Sequence, residues 1–153
     1  MAITESGLYV ANWIDALDAS GTAINLESDT DIKLALYPSS ITPDFNASAA
    51  NSAYSAGVYS GTEITGTGYT AGGVVLTSTT WTGSSGVATW DAADPTWSGS
   101  TLSDVRGALA YMNTLTPKAA IILVDLGQAY GTNNGAFTIN WSASGIFYLT
   151  LVP

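Results

Sequence analysis

From residue 74 onward the chain alternates short apolar runs with separators made of turn-forming residues. The runs are VVLTSTTW (74–81), GVATWDA (86–92), RGALAYM (106–112), AAIILVDLG (119–127), AFTINW (136–141) and IFYLTLV (146–152). Between them lie TGSS, DPTWSGST, NTLTPK, YGTNNG and SASG, all of which supply turn chemistry. Asn134-Gly135 and Ser144-Gly145 carry a hairpin signal. An earlier run, DIKLALY (31–37), alternates: Ile32, Leu34 and Leu36 face one way, and Lys33, Ala35 and Tyr37 the other. Pro38 and Pro43 bracket the turn after it. Short strands punctuated in this way predict an all-β chain folded as an antiparallel β-sandwich or jelly-roll-like barrel. IILVDL, apolar on both faces, is expected to be its central strand.

Only one stretch reads as a helix. Between Ser6 and Gly21, the residues Val10, Trp13, Ile14 and Leu17 recur at i, i+3, i+4 and i+7, with Ser6 placed to cap the start and Gly21 to end it. One amphipathic stripe needs one apolar partner, so this stripe is expected to pack on the domain's own sheet. The alternative is an arm that docks on a neighbour. A long Ala/Ser/Asn-rich stretch, residues 44–61, carries three aromatic residues, Phe45, Tyr54 and Tyr59. They argue against disorder and for a loop that is functional or packed on itself. No repeat and no linker divide the 153 residues. The expected organisation is an N-terminal helical segment (1–22) and a single β-sandwich domain (23–153).

The chain has no cysteine and no histidine, so thiolate metal sites, disulfides and the commonest general base are excluded. Twelve acidic residues against three basic ones give a formal charge of −9. Such a chain is repelled by nucleic acid and by anionic membrane, and no apolar run is long enough to span a bilayer. Charged residues make up only 10% of the chain, so the surface must be largely Ser, Thr, Asn and Gly, as on extracellular or virion proteins. The first residues, MAITESGLYV, lack the pattern of a secretory signal. Together these features point to a particle assembled in a host cytoplasm.

Gly66-x-Gly68-x-x-Ala71 has the glycine spacing of a dinucleotide-binding turn. That turn needs an apolar strand leading in and a helix starting at the third small residue. Here the lead-in YSGTEIT is polar, and Gly72-Gly73 is followed by the β-branched run VVLTSTTW. The spacing therefore predicts a conformational role. Gly66, Gly68, Gly72 and Gly73 reverse the chain around Tyr69 and seat its ring against the sheet.

The same stretch carries a resemblance. EITGTGYTAGGVVLTS (63–78), preceded by DIKLALYPSSITPDF (31–45) and followed by VDLGQAYGTNNGAFTINWSASGIFYLTL (124–151), resembles a family of virion proteins of tailed bacteriophages. The likeness runs from about residue 8 to the end. It implies a small β-rich structural protein of the phage head or tail, of minor capsid, decoration or tail-associated type, without catalytic residues or cofactor. This chain departs from the family in its few Lys and Arg residues and in a longer Ala/Ser insertion at 46–60.

Other constellations point to structure before chemistry. Asp91 with Asp94, and Asp29 with Asp31, sit as neighbours on acidic turns, where carboxylates cap backbone amides more often than they bind calcium or catalyse. Lys33 and Lys118 look solvated, which disfavours a Ser–Lys nucleophile. Trp81, Trp90 and Trp97 could form a flat sugar platform of a carbohydrate-binding module, or they could be core. Trp90 and Trp141 read as core, while Trp97, in the turn DPTWSGST, reads as exposed.

The expectation is a capsid decoration or cement subunit on the head exterior, partnered by the major capsid protein and self-associating, with a trimer as the natural symmetry. A tail or baseplate subunit and a sugar-binding β module are the alternatives. Val10, Trp13, Phe45, Tyr54, Tyr59 and Trp97 are the expected contact residues.

Overall fold

The alternation in DIKLALY becomes strand β2 (Ile32–Pro38). Ile32, Leu34 and Leu36 enter one apolar cluster, and Ala35 and Tyr37 enter a second on the opposite face. This two-sided burial sets the architecture. The computed structural model describes residues 3–18 and 23–152; Gly21, the expected helix end, lies outside the described residues. In chain order the elements are β1 (Gly7–Leu8), helix α1 (Val10–Leu17), β2, β3 (Val74–Val75), β4 (Thr80–Ser84), β5 (Val87–Asp91), β6 (Thr96–Met112), β7 (Ala120–Thr138) and β8 (Phe147–Thr150). They form two antiparallel sheets, one ordered β1-β7-β6-β2-β3 and the other β4-β5-β8. The fold is all-β and sandwich-like, with one short helix near the N-terminus.

Two strands are far longer than expected. β6 and β7 run for 17 and 19 residues and stay paired through DPTWSGST and YGTNNG, which read as turns. Hydroxyl side chains bridge the two strands: Thr96 and Thr138 meet at 2.9 Å, and Ser100 and Thr132 at 2.8 Å. The turn-forming residues are taken up as bulges, which add residues to one strand and bend it without reversing it. Asn134-Gly135 is therefore no hairpin, since Gly135 pairs with Ser100 inside the ladder. Ser144-Gly145 does turn the chain, closed by the Gly145 amide on the Ser142 carbonyl at 2.9 Å. The run at 74–81 divides, Val74 and Val75 joining the larger sheet and Thr80 onward opening the smaller one. The central strand is β6, not IILVDL. IILVDL lies beside it in β7 and is shielded on its outer edge by β1.

The first cluster lies between the sheets. Leu34, Leu36, Ala108, Ala110 and Ile121 of the larger sheet meet Trp90 of β5, with Trp81 and Phe147 packed against them. Phe147 touches both indoles, at ring separations of 5.5 Å to Trp90 and 5.8 Å to Trp81. The Trp90 indole N–H is satisfied by the Leu26 carbonyl at 2.7 Å. On the outer face of the larger sheet, Ile3, Tyr9, Ile41 and Tyr59 cover Ala35, Tyr37, Leu109 and Tyr111. The Ala/Ser-rich stretch is thus a third layer. Its small side chains bring its backbone close enough to bond directly to the sheet: the Tyr54 amide donates to the Lys118 carbonyl and the Ala120 amide to the Ser52 carbonyl, both at 2.9 Å.

Gly73 marks the tightest approach. Its φ is +71°, and a Cβ there would lie 1.7 Å from the Leu34 carbonyl oxygen of β2. Gly73→Ala is expected to cost about 2–5 kcal/mol in urea unfolding, combining left-handed strain with overpacking. Gly61→Ala, with φ +67° but nothing within 4 Å, should cost only the strain, about 1–2 kcal/mol.

Burial pushes the Tyr9 and Tyr37 phenols far above the usual range and raises Tyr59 to about 12. A raised phenol holds its proton more tightly folded than unfolded. The stability it carries is complete below the unfolded pKa of about 10 and is lost as pH rises from there toward 12. The thermal midpoint should stay level to about pH 9 and fall steeply from about pH 10. With the exposed Tyr130 and Tyr148 replaced by Phe, phenolate ultraviolet absorbance from the buried phenols should rise in step with unfolding.

Candidate functional site

The glycine loop does hold an anion, and the anion is the chain's own Glu63. The Gly72 amide donates to Glu63 Oε1 at 2.7 Å, the Tyr69 hydroxyl to the same oxygen at 2.5 Å, and the Tyr54 hydroxyl to Oε2 at 2.7 Å. The Tyr111 hydroxyl in turn donates to the Gly72 carbonyl at 2.9 Å, and the Leu36 amide to the Tyr69 oxygen at 2.9 Å. Gly66 and Gly68 run against β6: a Cβ on Gly66 would lie 2.3 Å from the Thr101 carbonyl oxygen, and one on Gly68 2.9 Å from that of Gly99. After Ala71 the chain enters β3 and no helix begins there. The loop is an internal clamp, with Tyr69 seated beside Trp97 at a ring separation of 6.2 Å.

The helix is oriented by hydrogen bonds, not by its apolar stripe. Asn12, 1% exposed, donates through Nδ2 to the Ser52 carbonyl at 2.7 Å and the Ala120 carbonyl at 2.8 Å. Trp13 donates its indole N–H to the Ile121 carbonyl at 3.2 Å and sets its ring edge-on to Phe147 at 5.7 Å. Ile121 is the extra residue of a β7 bulge, with Ala110 paired to Ile122 and Tyr111 to Ala120, and its carbonyl also accepts the Tyr9 amide at 3.4 Å. With Tyr9, Asn12 and Trp13 turned inward, Val10, Ile14 and Leu17 are exposed to 46%, 56% and 82%. The expectation that this stripe packs on its own sheet is overturned for all but Trp13. Ser6 does not cap the helix; Tyr9 occupies the cap position without a side-chain bond, and the Ser6 hydroxyl instead accepts the Asp125 amide at 2.8 Å.

A second exposed apolar feature is the border of β8. Strand β8 pairs with β5 on one side only, and Tyr148, Leu151 and Val152 are all more than half exposed. The contact of Trp13 with Phe147 lies on the inner side of the helix, so the outward stripe of Val10, Ile14 and Leu17 makes up the candidate docking surface by itself. Hydropathy periodicity marks Ile14 and Leu17, whereas nothing in the sequence marks β8 as an edge.

The other expected contact residues lie elsewhere. Phe45 is half-buried against Tyr9 at 5.4 Å, and Tyr54 is stacked on Tyr111 at 4.4 Å with the Lys118 ammonium 5.5 Å from its ring. Tyr59 and Trp97 are buried within the protein's own core and offer no surface to a partner. Trp97 is the larger correction: from Thr96 onward DPTWSGST is strand, not turn, and Trp97 pairs with Phe137 across the β6–β7 ladder. With Trp90 buried too, the Trp81–Trp90–Trp97 sugar platform does not exist.

Asp29, Asp91 and Asp94 cap backbone amides, while Asp31 accepts side-chain hydroxyls. Asp29 Oδ1 accepts the Thr79 amide at 2.7 Å and hydroxyl at 2.9 Å, and the amide bond holds this carboxyl below its usual pKa. Asp31 accepts the Ser28 hydroxyl at 2.8 Å, Asp91 the Ala92 amide and Asp94 the Trp141 amide, both at 2.9 Å. Among the described residues no group of three or more His, Cys, Asp or Glu could hold a metal ion. Nor is any helix there long and apolar enough to cross a membrane.

Asn12→Ala should loosen the helix at a cost of about 1–3 kcal/mol, the penalty for a buried partner left unbonded, with faster amide exchange along α1. Asn12→Asp should cost more, because an acceptor-only carboxylate would face two carbonyls. Hydrogen exchange read by mass spectrometry on both variants checks the order. No protein-family model, curated protein or solved structure matches this chain.

Proposed function

We propose that the protein is a non-catalytic structural subunit of a tailed-phage virion, attached to the head exterior through the outer stripe of α1. The observation that carries this reading is the orientation of that helix. Asn12 and Trp13 fix it so that Val10, Ile14 and Leu17 project outward and stay 46%, 56% and 82% exposed. A stripe held rigidly in this way is preorganised, and each large apolar side chain it buries on a partner is worth about 1.5–3 kcal/mol. The sequence resemblance supplies the setting, with the major capsid protein as partner. The charge of −9 supports it, since an acidic subunit is not lost to the packaged genome during assembly. Three side chains make a small contact, so attachment gains from several linked copies, and a trimer on a capsid symmetry axis meets that need.

The test is compositional and then mutational. Mass spectrometry of separated heads and tails should find the protein on heads. Finding it only on tails moves the docking partner to a tail protein, and absence from both fractions overturns the proposal. The double variant Ile14→Asp, Leu17→Asp should fold normally, as exposed substitutions shift stability by about 0.5 kcal/mol or less. Its incorporation should fall by at least about tenfold, the effect of losing roughly 1.4 kcal/mol at the contact.

A further inference from the structure

A groove of about 490 Å³ runs between β7 and the segment that follows it, lined by Asp125, Tyr130, Phe137, Asn140, Trp141 and Ile146 among others. It opens where β7 bends. Asp125 pairs opposite Gly107 and Tyr130 opposite Val105, so residues 126–129 of β7 face Arg106 alone on β6. Arg106 clips this bulge: its Nε lies 2.8 Å from Asp125 Oδ1, Nη2 donates to Oδ2 at 3.0 Å, and Nη1 donates to the Gly127 carbonyl. The far wall is fixed as well. The Trp141 amide is held by Asp94 at 2.9 Å and its indole N–H by the Ala93 carbonyl at 3.3 Å.

We infer that this groove binds a short, uncharged oligosaccharide. Tyr130, 41% exposed, and the half-buried Trp141 present aromatic surface, on which the C–H face of a sugar ring stacks without losing the hydration of its hydroxyls. Asn140, exposed at the rim, offers both an amide donor and a carbonyl acceptor to such hydroxyls. The volume is that of an ordinary small-ligand cleft. Charge selects among polar ligands. The carboxylate of Asp125 is already matched by Arg106, so the groove has no spare cation for a phosphate, sulfate or uronate, and a chain of charge −9 repels all three. The site is separate from the docking surface, because no residue of α1 lines it.

The test uses the purified full chain with maltohexaose, cellohexaose and chitohexaose as probes, followed by tryptophan fluorescence and calorimetry, and a hyaluronan hexasaccharide as the anionic comparison. At least one neutral probe should bind saturably. Tyr130→Ala and Asn140→Ala, both exposed positions chosen to preserve folding, should each weaken it, the former by about tenfold. Trp141→Ala should abolish it in a chain whose circular dichroism is unchanged. Failure of all three neutral probes to bind, binding that survives both exposed-site variants, or tighter binding of the anionic probe would each overturn the assignment. Because the assay needs no virion, its result is independent of whether the protein is found on heads.

Discussion

The pairing of β6 with β7 carries the rest of the structure, because both proposed binding surfaces arise from irregularities in that one ladder. Where Ile121 is squeezed out of register, its carbonyl accepts both the Tyr9 amide and the Trp13 indole N–H, and the start of the helix is hung from it. Where residues 126–129 crowd against Arg106, the strand bends and a groove opens. A regular ladder of the same length would provide neither. Bulges act here as positional devices, each converting one extra stretch of chain into a fixed direction for something outside the sheet.

The two-sided burial of the larger sheet explains why so small a chain contains a long segment whose only regular piece among the described residues is the 3-10 turn Gly57–Tyr59. A sheet with one wet face would leave Tyr37, Leu109 and Tyr111 in water. Residues 41–59 cover them, and their backbone groups find partners on β7 and on the loop before it. The Glu63 clamp fastens the border of this layer, tying Tyr54 of the covering segment and Tyr69 of the glycine loop to one carboxylate. Three layers are therefore held by different chemistry on their two sides: aromatic packing between the sheets, and hydrogen-bonded phenols on the outer face.

Much of this was legible in the residues, and the failures have physical causes. The alternation in DIKLALY sorts the residues of β2 onto two faces correctly, but the side of Lys33, read as solvated, is a second buried face carrying Ala35 and Tyr37. The β-branched run after Gly73 excludes a nucleotide cradle, and the chain does continue into a strand. Trp97 and YGTNNG mislead because Gly, Asn, Ser and Thr suit a turn and a bulged, hydroxyl-bridged strand equally well; composition cannot tell reversal from bending. The helix shows a different limit. Periodicity reveals that Val10, Ile14 and Leu17 share a face but not which face the protein keeps for itself. That choice belongs to Asn12, whose two bonds to distant carbonyls leave no trace in a hydropathy pattern.

The open border of β8 has a further consequence. A strand paired on one side presents unpaired amide and carbonyl groups to whatever chain drifts past, and Phe147–Thr150 carries no charge or proline to discourage it. Four residues are too few to sustain a ladder alone, so stray association there stays weak and reversible. In a crowded shell, where neighbours are held at fixed spacing, the same short border would be shielded by geometry instead of by sequence. Alone, the border is guarded by its shortness and not by its residues, so lengthening β8 by a few apolar residues would turn a harmless edge into a template for self-association.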